Sequence, residues 1–191
     1  MAETDAYPPN ACGDHLRRLV ARRRRRRHSI AIVIASLAVI VLVLATLAWR
    51  MSPVLVWNVT ASMRQGLYAV IPARLRRGDI AIARLSAGAA ELAARRHYLP
   101  VGIPVVKRTA ALGGDRICGK DKLVSINGRV AALRRTSDVR GRLLPQWIGC
   151  RTLGPAEYLL LGNSPASFDG RYFGPTSAHE IIGRGKLLWA R

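Results

Sequence analysis

The chain has 191 residues, enough for one modest domain with extensions. It carries 31 Lys and Arg against 11 Asp and Glu, a formal charge of +20, and such a balance points to nucleic acid or to an anionic membrane surface. No reading module or aromatic stacking platform for nucleic acid is present, and no CxxC or Cys/His spacing marks a metal site, so neither nucleic acid nor a metal or other cofactor is expected.

Residues 1–28 are polar, contain Pro8-Pro9, and end in a basic stretch from Arg17 to His28 that includes the run Arg22 to Arg27. They are expected to form a disordered tail. An uncharged apolar run of twenty residues follows, Ile30 to Trp49. At the rise of an α-helix, about 20 residues span a bilayer core of about 30 Å. The run is longer than the apolar region of a cleaved signal peptide, which is about 7–15 residues. It ends in Trp49 and Arg50, suited to the interface and the headgroups. Residues 29–50 are therefore read as a single uncleaved transmembrane anchor. The arginines before it keep the N-terminus in the cytoplasm and can draw affinity from anionic phospholipid. Residues 51–191 then lie across the membrane, with 22 basic residues against eight acidic. Cys118 and Cys150 fall in this oxidising compartment, where they are expected to pair; two buried free thiols are the alternative.

From Met51 onward, short apolar runs alternate with turn signals, as in a mostly β domain. Strands are predicted at Leu67 to Ile71, Asp79 to Arg84 and Ile103 to Val106. Leu123 to Ile126 leads into Asn127-Gly128, a strong hairpin signal, and Val130 to Leu133 returns. Glu157 to Leu161 and Ile181 to Trp189 complete the set. Ser86 to Arg96, rich in Ala, Leu and Glu, reads as a short helix.

Three segments carry candidate chemistry: residues 58–68, 104–116 and 162–174. A serine hydroxyl needs a base beside it. The base is commonly His, but His97 and His179 have no motif around them and read as surface or packing residues. Lysine can serve if burial keeps it neutral, since its ordinary pKa is about 10.4. Lys107 follows the apolar run Ile103 to Val106, and Arg108 would face the other way in a strand. This segment alone leaves open a strand-end lysine reaching to water. Ser62 stands beside apolar Met63 and close to Gly66. In the third segment Ser167, Asp169 and Arg171 would share one face of an extended strand, with Asp169 and Arg171 as a fixed ion pair and Ser167 free to bond a neutral lysine; a loop with an Asp-Gly turn is the alternative.

Taken in order, these segments resemble the bacterial type I signal peptidase family, with most likeness to the TraF-type peptidases of conjugative transfer. The order is the anchor, the Ser62 segment, Arg77-Gly78-Asp79-Ile80, Lys107-Arg108 through Gly114-Asp115-Arg116, and the stretch from Ser167 to Gly174-Pro175. The resemblance implies a mainly β, signal-peptidase-like sheet domain behind a single N-terminal transmembrane helix. It also implies a Ser/Lys dyad, Ser62 as nucleophile and Lys107 as general base. Thr60 would help hold the oxyanion, Ser167 would orient the lysine, and Asp169 is a candidate third catalytic residue. Asp115, Arg116 and Arg171 would be structural supports. Two departures bear on the substrate groove: Arg64 stands where the family has Pro, and Phe168-Asp169-Gly170-Arg171 replaces a Ser-Asp-Ser-Arg box.

The function implied is processing of a membrane-tethered, pilin-like precursor by acyl transfer to water or to the substrate's own amino terminus. The setting implied is a bacterial inner membrane with the catalytic domain in the periplasm. The alternatives are a general secretory signal peptidase and a non-catalytic, membrane-anchored assembly subunit of a transfer apparatus.

Overall fold

The computed structural model describes residues 29–45 and 53–191. The chain divides into two units, Met1–Met51 and Ser52–Arg191. In the first, residues 29–45 form one helix, α1, whose side chains are exposed. Among the described residues no helix is long and apolar enough to cross a membrane. The basic tail, and Trp49 and Arg50 at the end of the expected anchor, lie outside the described residues.

The second unit is mainly β. In chain order its strands are β1 (Leu55–Asn58), β2 (Gly66–Ile71), β3 (Ile80–Ala83), β4 (Val105–Ala111), β5 (Arg116–Lys120), β6 (Leu123–Ile126), β7 (Arg129–Leu133), β8 (Gly149–Thr152), β9 (Glu157–Leu161), β10 (Thr176–Ser177) and β11 (Ile181–Ala190). Two short α-helices interrupt them, α2 (Ala87–Arg95) between β3 and β4, and α3 (Gly170–Phe173) after β9, with a 3-10 turn at Ala178–Glu180 before β11. Seven strands form one sheet in the order β1-β2-β11-β3-β4-β9-β10, and four form another, β7-β6-β5-β8.

The local signals explain most of these elements. Asn127 and Gly128 both have positive φ, 50° and 78°, as a tight hairpin between β6 and β7 requires. The Ala-rich stretch forms α2 and buries Ala89 and Ala93. β4 starts two residues later than predicted and runs on past Lys107 to Ala111, because backbone pairing with β3 and β9 on either side continues beyond the apolar run. Four strands escaped prediction: β1, β5, β8 and β10. β8 is exposed along its whole length and so shows no alternation. Its place is fixed by pairing with β5, where Cys118 lies opposite Cys150 and the two form a disulfide.

The buried apolar side chains gather in three clusters. One, beneath the four-stranded sheet, includes Ile117, Val124, Leu153 and Leu159. A second, with Val56, Met63, Tyr68, Ile82 and Val106, lies under the segments that carry Ser62 and Lys107. A third joins Leu75, Ala81, Ala83 and Leu160.

Candidate active site

Ser62 is the middle residue of the loop joining β1 to β2. The two strands meet at Asn58 and Gly66, which are register partners, so the loop is closed where it begins. Gly66 is needed there: its φ is 148°, and a Cβ would sit 2.0 Å from the Trp189 carbonyl oxygen. Alternation along β1 turns Val56 and Asn58 inward, and the Asn58 side chain then binds the loop. Its Nδ2 donates to the carbonyls of Thr60, Met63 and Arg64 at 3.0, 3.3 and 3.1 Å. Its Oδ1 accepts from the Thr60 N–H at 3.2 Å and from the Thr60 hydroxyl at 2.9 Å. Thr60 Oγ1 in turn lies 2.9 Å from Ser62 Oγ.

Lys107 reaches this hydroxyl from the sheet. It sits in β4, opposite Ala81 of β3, and is 5 % exposed, whereas Arg108 beside it is exposed. Its Nζ donates to Ser62 Oγ at 2.8 Å and to Ser167 Oγ at 3.0 Å. Burial pushes the Lys107 ammonium down to about 8; the Asp169 carboxylate opposes this and Arg171 adds to it. A lysine so placed is neutral in about a tenth of molecules at pH 7 and in about half near pH 8, and in that form it can accept a proton from the serine it faces.

Ser167 arrives by the third segment. β9 pairs with β4, with Leu161 opposite Arg108, so the chain leaving β9 at Gly162 passes beside Lys107. A Cβ on Gly162 would lie 2.2 Å from Ser167 Oγ; only glycine leaves that hydroxyl its place. The Asn163 N–H donates to the Ser62 carbonyl at 2.7 Å, tying this loop to the serine loop.

Ser167, Asp169 and Arg171 do not share the face of an extended strand. They lie on a loop that turns into α3, and Asp169 is that helix's N-cap, accepting from the Arg171 N–H at 3.1 Å. The orphan N–H groups of a helix start draw a carboxylate more strongly here than strand alternation does. The expected ion pair is nevertheless present and buried, Arg171 Nε to Asp169 Oδ1 at 2.8 Å. Asp169 Oδ2 also accepts from the Gly162 N–H at 2.7 Å, and Arg171 Nη2 donates to the Gly162 carbonyl at 2.8 Å. The pair therefore clamps the residue on which Ser167 rests.

The two remaining supports stand apart from the lysine. Asp115 pairs with Arg77 at 2.6 Å and accepts from Asn127 at 2.8 Å and the Leu112 N–H at 2.7 Å. It fixes the approach to β5. Burial raises its carboxyl, but these partners hold it below the usual range. The Arg116 side chain is exposed, and no bond around Lys107 involves it. His97 and His179 are both exposed.

A cavity of about 400 Å³ opens beside the two hydroxyls and the amine. Its walls are mostly apolar, with Val56, Leu85, Leu99, Ile103 and Phe168 among them. A largely apolar cavity with the Ser62 hydroxyl and the Lys107 amine on its lining has the form of a ligand site. Tyr98, on its rim, donates to Asp138 at 2.5 Å and joins the loop after α2 to residues 137–143.

Two residues were not singled out from sequence, Asn58 and Gly162. Asn58 lies at a strand end, where an Asn side chain commonly bonds to backbone two residues on; that was its one available signal. Gly162 had no signal short of the strand pairing that brings it to Ser167.

The signal peptidase, peptidase S26, family profile matches residues 25–190. Two proteins described as plasmid transfer protein TraF, both from Escherichia coli, are 35 % and 32 % identical over 146 and 145 residues. Each alignment covers 69 % of this chain and 82 % of the relative. A crystal structure of a signal peptidase I from Enterococcus faecalis superposes loosely, with a TM-score of 0.36 at 21 % identity, over 60 % of this chain and 98 % of that one. The profile takes in all three segments that meet around Ser62 and Lys107, and the chain belongs to the signal peptidase family, peptidase S26, with its likeness to the TraF-type members.

Proposed function

We propose that this chain is a membrane-anchored serine endopeptidase in which Lys107 is the general base for Ser62. The observation that carries the reading is the buried Lys107 nitrogen 2.8 Å from Ser62 Oγ, with burial lowering the amine toward neutrality. Neutral Lys107 takes the Ser62 proton as Oγ adds to the scissile carbonyl. The carbonyl electron pair moves to oxygen, where the Ser62 N–H and the Thr60 hydroxyl are the donors; losing one such donor typically costs on the order of 10²–10³ in rate. Protonated Lys107 then gives its proton to the leaving amine, and an acyl-enzyme remains. Ser167 keeps the lysine aimed, and the Asp169–Arg171 pair keeps Ser167 in place.

The substrate we propose is a membrane-tethered, pilin-like precursor. The plasmid-transfer names of the relatives favour this over a general secretory precursor. The acyl-enzyme is resolved by water or by the substrate's own amino terminus. The exposed apolar surface of α1, in residues such as Ile32, Val39 and Leu42, and the arginines that precede it support an inner-membrane anchor with a cytoplasmic N-terminus and a periplasmic domain.

The test is processing in membranes by the wild type, Ser62→Ala and Lys107→Ala, with a pilin precursor and a secretory precursor, the products read by mass. Loss of processing in both variants at unchanged protein level is the expected result, and a product one water lighter than the linear form identifies cyclisation. Normal processing by both variants removes the peptidase reading, and the non-catalytic assembly subunit becomes the reading.

A further inference from the structure

We propose that Asn58 is a positioning residue that sets the place and the proton direction of the Thr60 hydroxyl beside Ser62; the proposal rests on the peptidase reading above.

The orientation of the Asn58 amide is fixed by its surroundings. One end faces the carbonyl oxygens of Thr60, Met63 and Arg64, and only the NH₂ group can face them, since an amide oxygen there would meet acceptors alone. The other end is therefore the oxygen, and it faces Thr60. An amide oxygen only accepts, so the hydrogen bond of 2.9 Å between Thr60 Oγ1 and Asn58 Oδ1 uses the single hydroxyl proton of Thr60. What Thr60 then presents to Ser62 Oγ, 2.9 Å away, is a lone pair. The bonds run in one direction, from Lys107 to Ser62 to Thr60 to Asn58.

This arrangement has a consequence for the reaction. For the reaction the Ser62 O–H turns from Thr60 to the lone pair of neutral Lys107; as Oγ bonds to the scissile carbon, its proton passes to Lys107 Nζ and the carbonyl pair passes to oxygen. Thr60 loses the proton that Ser62 had offered it. Its own proton can reach the new oxyanion only by leaving Asn58 Oδ1. Asn58 thus holds the Thr60 hydroxyl in reach of the reacting atoms and governs its change from acceptor to donor.

Closing the loop does not by itself explain the asparagine. The loop ends are held by the pairing of Asn58 with Gly66 through the backbone and by Gln65 Nε2 on the Val59 carbonyl at 2.6 Å. Tyr68 OH on the Arg64 carbonyl at 2.7 Å and the Asn163 N–H on the Ser62 carbonyl at 2.7 Å hold its far side. Asn58 is 6 % exposed; besides its bonds to the Thr60, Met63 and Arg64 backbone, which shape the loop, it makes one bond to a side chain, the one to the Thr60 hydroxyl.

The test is a set of double-variant cycles on the full-length chain in detergent micelles, with kcat and KM measured on the precursor that the wild type cleaves. Thr60→Val is expected to lower kcat by about 10²–10³, and Thr60→Ser, which keeps the hydroxyl, by no more than a few-fold. Asn58→Ala is expected to lower kcat about tenfold or more, with KM within about twofold, in the wild-type and Thr60→Ser backgrounds, and to cost nothing further in Thr60→Val. An equal loss in all three backgrounds, or a rise in KM at constant kcat, overturns the proposal and leaves Asn58 as loop support. If Asn58→Ala fails to fold, Asn58→Ser, too short to span Thr60 and the 63–64 carbonyls together, is put through the same cycles with the same two outcomes. A wild type that cleaves no precursor sinks the peptidase reading instead, whereas an active wild type with additive losses sinks only the role of Asn58.

Discussion

Lys107→Met removes a buried amine and keeps its stem. Lowering a lysine from 10.5 to about 8 means that its charged form costs the folded state about 3 kcal/mol. That cost is present in full below about pH 8, where the folded lysine is protonated. Between about 8 and 10.5 the unfolded chain binds the proton and the folded chain does not, so stability rises with pH. Above 10.5 both are neutral and the cost is gone. The variant has no such cost, but it loses the bonds to Ser62 and Ser167, worth about 1 kcal/mol each. Near pH 7 Lys107→Met is therefore about 1 kcal/mol more stable than the wild type, and near pH 10.5 it is about 2 kcal/mol less stable. Denaturant unfolding of the full-length chain in micelles at a series of pH values reads this directly. Because groups elsewhere titrate alike in both proteins, the difference isolates Lys107. A difference that stays constant from pH 7 to 10.5 would refute the depressed lysine and, with it, the base proposed for Ser62.

Other outcomes follow from the same geometry. Asp169→Asn leaves Arg171 buried without its anion, at a cost of about 3–5 kcal/mol in denaturant unfolding. It also removes the charge that supports the Lys107 ammonium, so the pH midpoint of precursor cleavage moves to the acid side of the wild-type value. Gly162→Ala drives a methyl group into Ser167 Oγ and is expected to reduce kcat as far as Ser167→Ala does, with KM little changed; steady-state kinetics on the two variants compares them. Reducing Cys118–Cys150, which closes a loop of sequence separation 32, lowers stability by about 3–4 kcal/mol on chain-entropy grounds, as measured by unfolding with and without reductant.

Apolar runs and turn residues made the inner strands legible, because β3 and β9 each bury three consecutive apolar side chains and Asn127-Gly128 admits few conformations other than a hairpin. The strands that were not legible are short or lack a buried face of their own, and are held by their pairing partners. β1 is four residues long, and β8 is exposed throughout. The candidate site divides in the same way. Lys107 could be picked out because a lysine after four apolar residues is anomalous. Ser62 had no local signal and was found through the resemblance alone. Ser167, Asp169 and Arg171 were identified with the wrong local geometry: spacing by two reads as a strand, whereas the Asp169 side chain capped a helix start instead. Asn58 and Gly162 act through the loop and the strand pairing around them, which become visible only once β1 meets β2 and β4 meets β9.

The central claim is that neutral Lys107 takes the proton of Ser62, and the pH dependence of kcat/KM for precursor cleavage tests it most directly. The rate should rise about tenfold per pH unit on the acid side, bend near the Lys107 value of about 8, and level off above it. A rate that is flat from pH 6 to 9, or that falls as the lysine loses its charge, would contradict the claim and require a different base for Ser62.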